Sequence, residues 1–153
     1  MTLAVHAATW VVVVAAVAAV LAWGDRLPER VPVHFGLDGS ADRWGSRDEV
    51  WLLLGLWVVL QAGVSLLARA PHVHNYPVEV TAANAQDLYR ESERLLVGVG
   101  AAMAVAFGGA LLATAQAEGA GAVVAAGTVG VLGACVVGVA RLLAVGERRP
   151  VRR

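Results

Sequence analysis

The chain has 153 residues, of which 58% are hydrophobic and 16% charged, and its mean hydropathy is +0.66. Soluble domains carry roughly 25% charged residues, and here the charges sit in islands between long apolar runs, which excludes a soluble domain and indicates a polytopic membrane protein. Net charge is zero, so nothing draws the chain to nucleic acid and no nucleic-acid partner is expected. All twelve basic residues are Arg, a bias of composition rather than of design. The single Cys135 lies in an apolar run, which leaves no disulfide framework and no cysteine metal site.

The first expected element is a transmembrane helix over residues 3–23. About 21 residues at 1.5 Å each span ~30 Å, one hydrocarbon core. A cleaved signal peptide fits less well, because no Lys or Arg precedes the run and the run is too long. Residues 24–49 form a polar loop. Residues 50–68 are a second span, flanked by Trp51 and Arg69. Residues 69–94 form a second loop, opening with Pro71 and Pro77 and closing in a short helix with Thr81 as its N-cap. Residues 95–115 are the third span, 116–120 a tight turn, 121–145 the fourth span, and 146–153 a basic tail.

In hydrocarbon each span must satisfy its own backbone hydrogen bonds, so each is read as a helix. No span shows a polar face at the 3.6-residue period, which excludes a soluble helical bundle. The expected fold is an all-α membrane protein: four transmembrane helices with an ordered extracytoplasmic loop between helices 1 and 2. Four spans place both termini on one side with eight arginines, against four on the other. The positive-inside rule then puts both termini in the cytoplasm of a cell-membrane protein.

The first loop has the marks of an ordered cap. Pro28 and Pro32 fix φ and push the residues before them toward extended geometry. Val31, Val33 and Phe35 alternate with Pro32 and His34 at the period of a strand. Residues 37–40 read as a turn in which Gly39 can take a positive φ. Trp44 and Trp51 are expected at headgroup level. His34 reads first as a structural histidine bonded to a loop carbonyl or to a carboxylate such as Asp42. A metal cluster of His34, Asp38 and Asp42 matches no strong template, and a pH-sensing or ligand-contact role is the remaining alternative. His72 and His74 are a weaker metal candidate, and no metal or other cofactor is expected.

Asp87, Arg90, Glu91, Glu93 and Arg94 form a charge run that reads as a solvated helix lying on the membrane surface. The tail arginines would attract anionic lipid at about 1 kcal/mol each. Ala126, Gly130, Ala134 and Gly138 recur every four residues, as do Gly98, Ala102, Ala106 and Ala110. Such ladders let helices approach closely, and Gly130, Ala134 and Gly138 are the candidate packing positions. Gln61 is expected to bond across helices, and Arg141 to snorkel to the interface. There is no nucleophile elbow, P-loop, dinucleotide fingerprint or zinc motif, so the chain is not expected to be an enzyme.

The stretch Leu27-Pro28-Glu29-Arg30-Val31-Pro32-Val33-His34-Phe35-Gly36, followed by Gly39 and by Asp42-Arg43-Trp44-Gly45-Ser46-Arg47, resembles the signature of domain of unknown function 1648. That family reads Leu-Pro, a spacer, Pro-x-His-aromatic, a Gly turn, then an acidic or amide residue, an aromatic or Gly, and a basic residue. SdpI-type immunity and signalling membrane proteins carry the same domain. In the second loop Asn75-Tyr76-Pro77, Thr81, Asn84, Tyr89 and Arg94-Leu95-Leu96 look like the stretch that follows in many small members. The resemblance implies a binding, sensing or immunity-type protein. Its outer loop would recognise a peptide, lipid or toxin through Leu27, Pro28, Pro32, His34, Phe35, Gly39, Asp42, Arg43 and Trp44. The alternative is a structural or accessory subunit of a membrane transporter complex, or a homo-oligomer, motivated by the small-residue faces. The bilayer is a partner on either reading. A membrane enzyme using His34 and nearby carboxylates as acid and base is the least supported.

Overall fold

The computed structural model describes residues 2–36, 39–115 and 119–147. Asp38, most of the turn expected at 116–120 and the tail arginines lie outside the described residues. Helix α1 (Thr2–Trp23) leads through a 3-10 turn into an antiparallel hairpin of β1 (Arg30–Phe35) and β2 (Ala41–Ser46). Helices α2 (Glu49–Ala68), α3 (Ala85–Thr114) and α4 (Ala120–Glu147) follow. All four helices are long and apolar enough to cross a membrane. Large apolar side chains such as Val11, Val14, Val59, Val129 and Val136 stand exposed around them, as expected where lipid replaces water. This is a multi-pass helical membrane protein with an ordered loop between its first two spans.

α3 is the hub, packing on α1, α2 and α4 and on β1. α1 and α2 touch each other far less, and α4 packs chiefly on α3. At one end of the bundle the hairpin meets the start of α4, where Gly39 and Gly121 bring their backbones together. At the other end Gly146 of α4 lies against Val78 of the second loop. Both observations follow from four spans running up and down.

The structure departs from expectation in α3. A separate surface helix ending near residue 94 was expected; instead one helix runs unbroken from Ala85 through the charge run to Thr114. No residue between Asp87 and Leu95 breaks a helix. Thirty residues measure ~45 Å, more than the hydrocarbon thickness, so the charged turns continue out of the span instead of bending onto the surface. Thr81 also stands before the helix and not as its cap. Its N–H donates to Asn84 Oδ1 at 2.7 Å, and Asn84 immediately precedes Ala85.

α3 and α4 are joined by small residues. A methyl placed on Gly98 would lie 3.7 Å from Ala134 Cβ, and one on Gly130 would lie 3.2 Å from Ala102 Cβ. Gly138 takes Leu95 directly against its backbone, and Gly127 sits on the Ala106 backbone. The seam on α4 is therefore Gly127, Gly130, Ala134 and Gly138. Ala126, expected to begin it, is exposed, because the 3.6-residue period drifts off a strict four-residue ladder. Gln61 does not bond across helices as expected. It is buried with its amide under Gly100, and its Oε1 has no partner among the described residues. Arg141 reaches Glu91 of α3 at 3.8 Å.

These contacts set a stability order. Gly127→Ala drives a methyl into the Ala106 backbone and should lower the detergent melting temperature, at a cost of ~1–3 kcal/mol. Gly133→Ala meets nothing within 4 Å and should leave stability unchanged or raise it by up to about 1 kcal/mol. Equal melting of the two variants would show that the α3–α4 seam is looser than described.

Candidate functional site

The hairpin is part of the bundle's core. Val31 has no exposed surface and joins Val13, Val20, Val50, Leu54, Trp57 and Ala104 in one cluster, with Leu27 and Val33 packed at its edge. Full burial of one such side chain contributes roughly 1.5–3 kcal/mol. Trp57 of α2 stacks on Phe107 of α3 inside the same cluster, ring centroids 5.8 Å apart. The strands pair Arg30 with Ser46, Val31 with Gly45, Pro32 with Trp44, His34 with Arg43 and Phe35 with Ala41. Irregularities on either side of His34 break the strict alternation. Pro32, expected to face outward with His34, is buried beside Val31 for that reason, and Phe35 is half-buried. Gly39 has φ 78°, which together with its approach to Gly121 requires glycine.

Most of the polar motif residues hold the hairpin in shape. His34 Nδ1 lies 2.6 Å from Asp42 Oδ1, which fixes the ring's orientation. Glu49 accepts the Ser46 N–H at 3.1 Å and faces the Arg43 guanidinium at 3.7 Å. Gly45 leaves room for it, and a side chain there would push the Glu49 carboxylate aside. Arg47 donates to the Asp25 carbonyl at 2.8 Å, and its N–H donates to the Glu29 carbonyl at 3.0 Å. What the hairpin displays is His34, Asp42 and Arg43, whose side chains are 65%, 50% and 67% exposed, and Trp44, 49% exposed. Pro28 is also exposed. At such exposure the ion pairs add little stability; they orient the side chains.

Glu49 was not singled out from sequence. Its signal is the Ser-x-x-Glu spacing of Ser46 and Glu49, in which the glutamate reaches back to the serine's N–H at a helix start.

The second-loop motif is gathered at the opposite end. Tyr76 OH donates to the Pro71 carbonyl at 2.7 Å and meets the buried Ser92 Oγ at 2.9 Å. Its ring packs against Tyr89 at 6.0 Å. Ser92 also meets His74 Nδ1 at 3.2 Å, and His74 Nε2 lies 2.9 Å from the Leu67 carbonyl. Asn84 Nδ2 donates to the Glu79 carbonyl at 2.9 Å. Asn75 and Pro77 are exposed. The two motifs are thus at opposite ends of the bundle and do not form one site. Ser92 is a residue sequence reasoning missed: besides the Tyr89 carbonyl one turn back, its partners Tyr76 and His74 lie 16 and 18 positions away, where no local signal reaches. Among the described residues no group of three His, Cys, Asp or Glu side chains could hold a metal ion.

A helical multi-pass membrane protein with a β-hairpin clasped between its first two spans is the class these features define. Residues 10–58 match the family model described as Domain of unknown function (DUF1648). The match takes in the later part of α1, the hairpin and the first half of α2. A protein of Archaeoglobus fulgidus described as uncharacterized is 37% identical over 54 residues, a stretch covering 34% of this chain and 30% of that relative. No solved structure matches the chain.

Tyr76→Phe removes a hydroxyl that serves both Pro71 and Ser92, and should cost about 0.5–1.5 kcal/mol, because the Pro71 carbonyl keeps the His74 N–H and Ser92 keeps His74 and the Tyr89 carbonyl. The expected reading is a lower melting temperature and faster proteolysis of residues 69–84. His72→Ala, at an exposed position, should do neither. An unchanged Tyr76→Phe would show that the loop is held by its apolar contacts alone.

Proposed function

We propose that this is a non-catalytic binding or sensing membrane protein, in line with its resemblance to SdpI-type proteins, with the hairpin as its recognition surface and its termini in the cytoplasm. One observation carries the reading. The hairpin is anchored by wholly buried Val31 while its other side displays His34, Asp42, Arg43 and Trp44. Ordering a chain segment costs ~1–2 kcal/mol per residue, and a plain connector between two helices has no need of it. An indole held on a fixed strand offers a large contact area at little further entropic cost, and Trp and Arg are the residues that dominate binding surfaces. A peptide or toxin carrying one apolar side chain for Trp44 and a carboxylate for Arg43 fits this chemistry. The small-residue faces that motivate an accessory-subunit role are engaged within the chain, between α3 and α4, so no specific observation favours that alternative.

His34→Ala and Trp44→Ala should reach the membrane at normal abundance and melt normally, yet fail to restore the phenotype lost on deleting the gene. Val31→Asp should lower abundance and function together. Full complementation by Trp44→Ala and His34→Ala would overturn the recognition role of the hairpin.

Orientation has its own test. In a Cys135→Ala background, Ser40→Cys should react with an impermeant thiol reagent on intact cells, and Ala83→Cys only after lysis. The reverse pattern would place the hairpin in the cytoplasm.

A further inference from the structure

At the end of the bundle opposite the hairpin, Arg90 and Arg94 stand one turn apart on α3 and Arg141 faces them from α4. The three line one cleft of about 360 Å3 together with Asp87, Glu91 and Ala144. Glu91, only 16% exposed at its side chain, pairs with both Arg94 and Arg141. It holds two arginine side chains that remain 52% and 60% exposed. Arg90 has no ion pair among the described residues. Within this cleft three arginines face two carboxylates, Asp87 and Glu91, which leaves one positive charge in excess where a phosphate would sit. Two guanidinium groups are fixed in place before any ligand arrives, so binding immobilises little more.

Depth identifies the ligand. Arg94 immediately precedes the apolar part of α3. Arg141 lies six residues before Glu147, the end of α4, or ~9 Å along the axis. The guanidinium groups thus sit at the level of lipid headgroups, where phosphate is the concentrated anion and forked Arg contacts suit it. A second cleft of about 510 Å3 shares the three arginines and continues onto Val5, Val97 and Gly98, with Thr2 and Glu93 at its rim, where Glu93 also borders the recess that holds Arg69. A polar mouth with an apolar continuation matches one molecule, a phospholipid.

From this we infer that the Arg90–Arg94–Arg141 cleft is a binding site for an anionic phospholipid. The arginines take its phosphate and the α1–α3 groove takes an acyl chain. The site differs from the diffuse attraction of the tail, because it depends on residues brought together by the α3–α4 seam.

The test is native mass spectrometry of the full chain released from micelles containing equal phosphatidylglycerol and phosphatidylcholine. The chain should retain one phosphatidylglycerol in preference to phosphatidylcholine. Arg90→Gln, which breaks no ion pair, should weaken retention about tenfold. Ala144→Glu, which adds a carboxylate to the cleft, should do the same, and decides the matter if Arg90→Gln folds poorly. Arg26→Gln, at the hairpin end, should have no effect. The four tail arginines are common to all variants, so the difference isolates the cleft. Equal retention of the two lipids, or unchanged retention in both cleft variants, overturns the inference. So does displacement of the lipid by millimolar glycerol phosphate, which would mark a free-phosphate site, and so does a co-purifying acidic polypeptide in place of lipid.

Discussion

Everything at the hairpin end depends on the burial of Val31. α1 and α2 are consecutive in the chain yet make little contact with each other, so a gap opens where the loop leaves α1. β1 fills it by packing Val31 into the cluster of Val13, Val20, Val50 and Leu54. Once Val31 is inside, the hairpin's other positions follow. Gly45 lies opposite Val31, and its missing side chain admits the Glu49 carboxylate that opens α2. A loop that began as a connection between spans thus becomes a lid continuous with the core, and its outward residues are held by the same packing.

α3 supplies the second constraint. It must serve three partners at once, and it does so by using different chemistry on each side. Toward α4 it offers Gly98, Ala102, Ala106 and Gly109, so the two backbones approach closely and gain dispersion contacts where no hydrophobic drive exists between helices in lipid. Toward α2 it offers Phe107 to Trp57 and Gly100 to Gln61. Beyond the hydrocarbon its charged turns carry Ser92, which ties down the second loop through Tyr76 and His74, and Glu91, which reaches Arg141. The helix that looked interrupted in sequence is the one that connects the two ends of the molecule.

Much of this was legible in the amino-acid sequence, for physical reasons. The spans are visible because the bilayer demands about 20 apolar residues. The first strand and the turn of the hairpin are visible because Pro28 and Pro32 fix φ locally and Gly39 can take a positive φ, whereas β2 leaves no such mark. The burial of Pro32 was not legible, because strand irregularities around His34 shift the faces and are set by packing. The continuity of α3 was hidden by the change from apolar to charged residues at Arg94, which marks the edge of the bilayer and not the end of a helix. The knot of Tyr76, His74 and Ser92 was hidden because hydrogen bonds across such separations leave no periodic trace. The phase of the α4 seam was off by one position at Ala126, since an alanine-rich helix offers several equivalent faces.

The central claim is that the loop between α1 and α2 is a fixed, core-anchored lid. Hydrogen–deuterium exchange of the protein in lipid nanodiscs measures this directly. The amides of β1 and β2, with Gly36 and Arg47 at their ends bonded to Ser40 and Glu29, should exchange at least about tenfold more slowly than those of residues 78–80 in the second loop. Hairpin amides that exchange as fast as that open segment would contradict the account.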